Sequence, residues 1–126
     1  MKKLMTIIAV IALAAVLGTL LIACSTPSDP ESAEEKMKKA GYVVETEEVT
    51  EEIAEEMKLD GAKKILYARK DADENDYLYA IFFESSSKAK AYYKEHKDEA
   101  QYKDLTIGQS GKWVYAGSEA AVKAFK

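Results

Sequence analysis

The sequence predicts an α+β fold: a mostly antiparallel sheet of about five strands with helices packed on one face, preceded by an N-terminal apolar signal helix. Three observations predict it. Residues 63–70 (KKILYARK) and 77–84 (YLYAIFFE) are rich in β-formers and joined by DADEND, which reads as a hairpin with an acidic loop. Residues 105–109 (LTIGQ) and 112–117 (KWVYAG) repeat the arrangement around Ser110-Gly111. The helical stretches alternate with these hairpins and leave few crossovers, which favours antiparallel pairing.

Each element has a local cause. Asp29 supplies a capping side chain and Pro30 needs no amide partner, so a helix starts there. ESAEEKMKKAG continues it, acids early and lysines late, with Ala33, Met37 and Ala40 as a thin apolar stripe and Gly41 as its stop. YVVETEE, residues 42–48, reads as a strand. Thr50 caps a short helix, EEIAEEMKL, with Ile53 and Met57 one turn apart, and Gly61 is expected to end it. After the first hairpin, Ser86 or Ser87 caps a helix whose apolar stripe is Ala89, Tyr92, Tyr93 and His96. Ser118 caps a last helix, EAAVKAF. The predicted order is α-β-α-β-β-α-β-β-α.

Side chains alternate across a strand, so the hairpins divide into two faces. Leu66, Ala68, Leu78, Ala80, Phe82, Val114 and Ala116 form one set, whose alanines let helices come close. Ile65, Tyr67, Arg69, Tyr77, Tyr79, Ile81, Phe83, Trp113 and Tyr115 form the other. The second set is amphipathic and is expected to face outward, at least in part, unless a helix covers it and leaves the alanine face open.

Composition excludes several functions. The 126 residues suffice for one domain. Only Lys2 and Lys3 are charged among the first 24, so the rest carries 16 basic and 22 acidic residues, net −6. Phosphate backbones need a basic surface, so no nucleic-acid partner is expected. One cysteine permits no intrachain disulfide, and one histidine permits no multi-histidine metal site. No metal and no cofactor is expected.

The amino terminus has its own pattern. Met1-Lys2-Lys3 is followed by Leu4–Ala23, which holds no charge. A basic start and an apolar run ending in small residues describe a secretory signal, although the run is long enough to span a bilayer. Leu21-Ile22-Ala23-Cys24 resembles the lipobox of bacterial lipoproteins. The resemblance implies cleavage after Ala23 and a diacylglyceryl thioether on Cys24. Two or three acyl chains, at about 0.8 kcal/mol per buried CH₂, anchor a protein stably. The alternative is an uncleaved anchor helix with a buried cysteine. Either way the charged start stays inside and the domain is extracytoplasmic, held at the bacterial cell membrane. The predicted division is therefore 1–23 signal peptide, 24–30 lipid attachment and polar tether, and 31–126 a single α+β domain. Beyond Cys24 the chain is reminiscent only of small bacterial lipoproteins whose function is open. STPSDP, extended, reaches about 20 Å, so the domain sits close to the lipid.

Candidate chemistry in the domain is sparse. Tyr67, Arg69, Tyr77, Tyr79, Trp113 and Tyr115 form a possible stacking platform for a sugar, a peptide or a partner protein, since tyrosine and tryptophan bury large areas and keep a polar handle. The expected partners are the membrane, through the anchor, and a protein or envelope polymer on this aromatic face. Asp71, Asp73 and Asn75 begin like a calcium loop, but Asp76 and Phe82 stand where glycine and glutamate are required, so a plain acidic loop is expected. The seven glutamates between residues 45 and 56 read as a solvated face. Lys88, Lys90, Lys94, Lys97 and Lys103 do likewise, with attraction to anionic lipid as the alternative. His96 reads as a core or boundary residue. No catalytic residue stands out, so a non-enzymatic binding module leads. An envelope-acting enzyme using carboxylates such as Glu84 or Asp76, or an assembly or spacer subunit, is the alternative.

Overall fold

Helix starts are set by side chains that accept from otherwise unpartnered backbone N–H groups. The structure, a computed structural model, describes residues 26–126. The signal segment 1–23 and Cys24 lie outside the described residues. Helix α1 spans Pro30–Lys39, with Asp29 Oδ1 accepting from Ser32 N at 2.7 Å. Strand β1 spans Val43–Glu48, and Thr50 caps α2, Glu51–Glu56. Strands β2, Ala62–Arg69, and β3, Tyr77–Phe83, form the first hairpin. Helix α3, Ser86–His96, is followed by a single 3-10 turn at Ala100–Tyr102. Strands β4, Thr106–Ser110, and β5, Trp113–Gly117, form the second hairpin, and Ser118 caps α4, Glu119–Phe125.

Two boundaries differ from expectation. Ser85, rather than Ser86 or Ser87, caps α3, its hydroxyl accepting from Lys88 N at 3.2 Å. Lys58, at φ 56°, makes the left-handed turn that ends α2, with Leu59 N donating back to Ala54 O at 2.8 Å. Gly61 then belongs to the approach to β2.

The five strands make one antiparallel sheet in the order β1-β2-β3-β5-β4. Register decides which side chains share a face. Tyr67 pairs with Tyr79 and Arg69 with Tyr77, which keeps all four on one face, as the alternation predicts. Strand β5 sits in the opposite phase. Ala80 pairs with Tyr115 and Phe82 with Trp113, so Trp113 and Tyr115 lie on the alanine face, and Val114 and Ala116 on the tyrosine face. Every position of β5 is apolar or glycine and all are buried, so alternation within that strand carries no polarity signal. Only pairing across to β3 fixes its phase.

Helices cover both faces, which corrects the one-sided arrangement. On the alanine face, α1 and α4 pack Ala33, Met37, Ala121, Val122 and Phe125 against Leu66, Ala68, Leu78, Ala80, Trp113 and Tyr115. Ala33, Ala68, Ala80 and Ala121 are fully buried, and their small side chains let helix and strand approach. On the other face, α3 brings Ala89, Tyr92 and Tyr93 onto Phe83, Val114, Ile65 and Ile81. Glycine is required in the second hairpin at Gly111 and Gly108, among other places. Gly111 takes φ 55° in the tight turn. Gly108 lies under the Tyr115 ring, where an added Cβ would fall 2.6 Å from the phenol oxygen. The acidic loop Asp71–Asp76 and the β4–β5 turn stand at opposite ends of the sheet, as the antiparallel registers require.

Candidate binding face

The half of the tyrosine face nearest the acidic loop carries no helix partner in the apolar clusters. Cross-strand register brings Tyr67, Tyr77 and Tyr79 together there. Tyr67 and Tyr79 have ring centroids 4.6 Å apart, and Tyr77 stands edge-on to Tyr79 at 6.4 Å. Such offset and edge-to-face pairs hold rings in fixed orientation. Tyr79 is 51% exposed, a large value for a central strand of a covered sheet. Arg69 Nη1 reaches Asp71 Oδ1 at 2.7 Å, so the guanidinium is held at the border of the cluster. Of the six residues expected on this face, four are brought together. Trp113 and Tyr115 are the exceptions, being 1% and 5% exposed beneath α4, with Phe125 against both rings.

Tyr79 and Ile81 continue from the cluster into a groove of about 490 Å³ between the sheet and α3. Ile65, Ile81 and Ala116 floor it, while Tyr92, His96, Tyr102 and Leu105 wall one side. Met57, 59% exposed, stands at the lip beyond α2. Burial, with the Tyr102 hydroxyl beside it, pushes the Tyr92 phenol well above its usual value, so it stays neutral and able to donate. His96 stacks on Tyr92 with centroids 4.1 Å apart, and its Nδ1 lies 3.0 Å from Glu99 Oε1. That contact lacks the angle of a directed hydrogen bond, and Nδ1 has no other partner. It is a proximity of charge and ring nitrogen rather than a locked pair. The groove is thus an apolar floor with aromatic walls and a few polar groups, the general make-up of a binding cleft.

Tyr92, Tyr102, His96 and Met57 were not among the site residues read from the sequence. The stripe Ala89-Tyr92-Tyr93-His96 was legible as buried, but its burial against the tyrosine face depends on α3 crossing to that side. Tyr102 lies in an irregular segment with no periodic signal.

The carboxylates take other places. Asp76 is a structural node. Its Oδ1 accepts from Tyr42 Oη at 2.6 Å and from Ser118 Oγ at 2.8 Å, and Lys70 Nζ is 3.8 Å from Oδ2. Glu84 lines a depression of about 280 Å³ with Glu51, Glu55 and Asp60. All four are exposed, and Asp60 pairs with Lys88 at 2.6 Å. Among the described residues no group of three or more His, Cys, Asp or Glu side chains is placed to hold a metal ion. No described helix is long and apolar enough to cross a membrane. The chain matches no protein-family model, no curated protein and no solved structure.

Proposed function

We propose that this protein is an extracytoplasmic lipoprotein, held to the bacterial membrane through acylated Cys24, whose domain is a non-enzymatic binding module. Its ligand is a protein or envelope-polymer partner that stacks on Tyr67, Tyr77 and Tyr79 and extends into the adjoining groove. The observation that carries the binding half of this reading is Tyr79. It is a half-exposed tyrosine in the middle of a sheet, flanked by two more rings and continuous with an aromatic-walled cleft. Rigid rings with hydroxyl tips supply contact area at small entropic cost. Arg69 adds a charged group at the border.

A carboxylate enzyme has less support. General acid catalysis needs a carboxyl raised by burial. Asp76 is committed to Tyr42 and Ser118, and Glu84 stands exposed among like charges. The binding reading is tested by Tyr67→Ala and Tyr79→Ala in whole cells, with cross-linking and recovery of the anchored protein. Loss of a tyrosine at the centre of such a contact is expected to cost about 2 kcal/mol, roughly thirtyfold in affinity. Captured partner should fall accordingly at equal protein level. Unchanged capture by both variants removes the tyrosine face from the function.

A further inference from the structure

Residues 26–29 are not a free tether. Trp113 Nε1 donates to the Pro27 carbonyl at 2.7 Å, and Thr26 Oγ1 donates to Ser110 Oγ at 3.0 Å. Two residues later Asp29 caps α1. Three contacts in four residues therefore fix this segment against the β4–β5 hairpin and the start of α1. The first contact is the strongest constraint. Trp113 is 1% exposed, so its indole N–H needs a partner, and Pro27 supplies it. Releasing Pro27 strands a buried donor.

The geometry points to a fixed orientation on the membrane: we propose that this clasp sets the β4–β5 turn, Gly111-Lys112, against the lipid headgroups and turns the tyrosine cluster away from them. Cys24 is two peptide steps from Thr26, a reach of about 7 Å. The chain thus enters the domain beside Ser110, at the turn end of the sheet. Strand β3 runs from that end to Tyr77, and seven residues at about 3.3 Å each place the acidic loop roughly 20 Å further out. Charge does not separate the two ends, since Asp71, Asp73 and Glu74 lie at the far end while Glu48, Glu51, Glu55 and Glu84 lie at the turn end, so the orientation rests on the clasp and on the short reach from Cys24. Tyr67, Tyr77 and Tyr79 occupy the same outer half. A binding face so placed is open to a partner above the membrane. This inference rests on membrane attachment at Cys24.

The test uses the full chain, matured in cells and reconstituted into phospholipid vesicles that carry a headgroup quencher. Lys112→Cys and Glu74→Cys each offer one fluorophore site, because acylation blocks Cys24. The fluorophore at position 112 is expected to be strongly quenched and the one at 74 to keep its intensity. Equal quenching at both, or stronger quenching at 74, overturns the orientation while leaving attachment standing. Failure of the unsubstituted protein to float with vesicles overturns attachment, and the orientation with it. Trp113→Phe combined with Ser110→Ala removes the clasp and is expected to narrow the difference between the two sites with flotation unchanged. Trp113→Phe alone, which keeps an aromatic ring in the core and removes the indole donor to Pro27, is the milder version should the first not fold. A difference that persists in full in a folded clasp variant overturns the role given to the clasp.

Discussion

Trp113→Ala is expected to lower stability by about 3–5 kcal/mol, the usual cost of emptying a buried tryptophan site. The indole is 1% exposed, stands edge-on to Phe125 at 5.2 Å, and packs on Phe82 at 4.9 Å. Its removal takes apolar area from the core and leaves a hole between β5 and α4. It also strands the Pro27 carbonyl. Urea unfolding of the domain reads the loss as a lowered midpoint at unchanged slope. Tyr79→Ala supplies the contrast. That ring is half exposed, so its loss is expected to cost about 1 kcal/mol, chiefly the aromatic pairing with Tyr67 and Tyr77. The two residues were placed on one face by alternation alone, and the structure gives them opposite jobs. If the two substitutions cost the same, or in reverse order, then the phase of β5 described above is wrong.

Asp76→Ala is expected to cost about 1–3 kcal/mol, because it leaves the hydroxyls of Tyr42 and Ser118 without an acceptor. Tyr42 is 5% exposed, so its orphaned hydroxyl has little access to water. Ser118 is the cap of α4, and Tyr42 follows α1, so Asp76 ties the acidic loop to both helices of the alanine face. The pH dependence has two edges. Burial opposes charge on Asp76, but hydrogen bonds from Tyr42 and Ser118 and the Lys70 ammonium outweigh it and hold the carboxyl below its usual value near 3.9. A depressed folded pKa contributes stability above the unfolded value, and that contribution is lost as pH falls through the folded one. Tyr42 goes the other way. Burial and the Asp76 charge push its phenol above the usual value near 10, so its share is present below about pH 10 and is lost as pH rises through the folded value. The node therefore stabilises between these limits. Asp76→Asn keeps an acceptor oxygen and is expected to recover part of the loss while flattening the acid edge. An acid edge that is identical in wild type and Asp76→Asn contradicts this role.

The sequence made some of this structure legible and not the rest, for identifiable reasons. Local signals carried through. Asp29, Thr50 and Ser118 cap the helices they were expected to cap, and Tyr67, Tyr77 and Tyr79 share one face because alternation within β2 and β3 is a local property of each strand. Non-local signals did not carry. Strand β5 is apolar on both faces, so nothing within WVYAG says which side is which, and Trp113 and Tyr115 changed sides. Helix α3 was readable as amphipathic, but which face it covers depends on the route of the chain from β3 through the 3-10 turn to edge strand β4. That crossing builds the groove and supplies Tyr92, His96 and Tyr102. The role of Asp76 was also hidden, since its partners lie 34 and 42 residues away.

Mass spectrometry of the mature protein taken from membranes bears most directly on where this domain works. The lipobox-like Leu21-Ile22-Ala23-Cys24 predicts a species that begins at Cys24, carries a diacylglyceryl group on its sulfur, and contains none of residues 1–23. A protein that still begins at Met1, with a free Cys24 thiol, would contradict acylation as the means by which it is held.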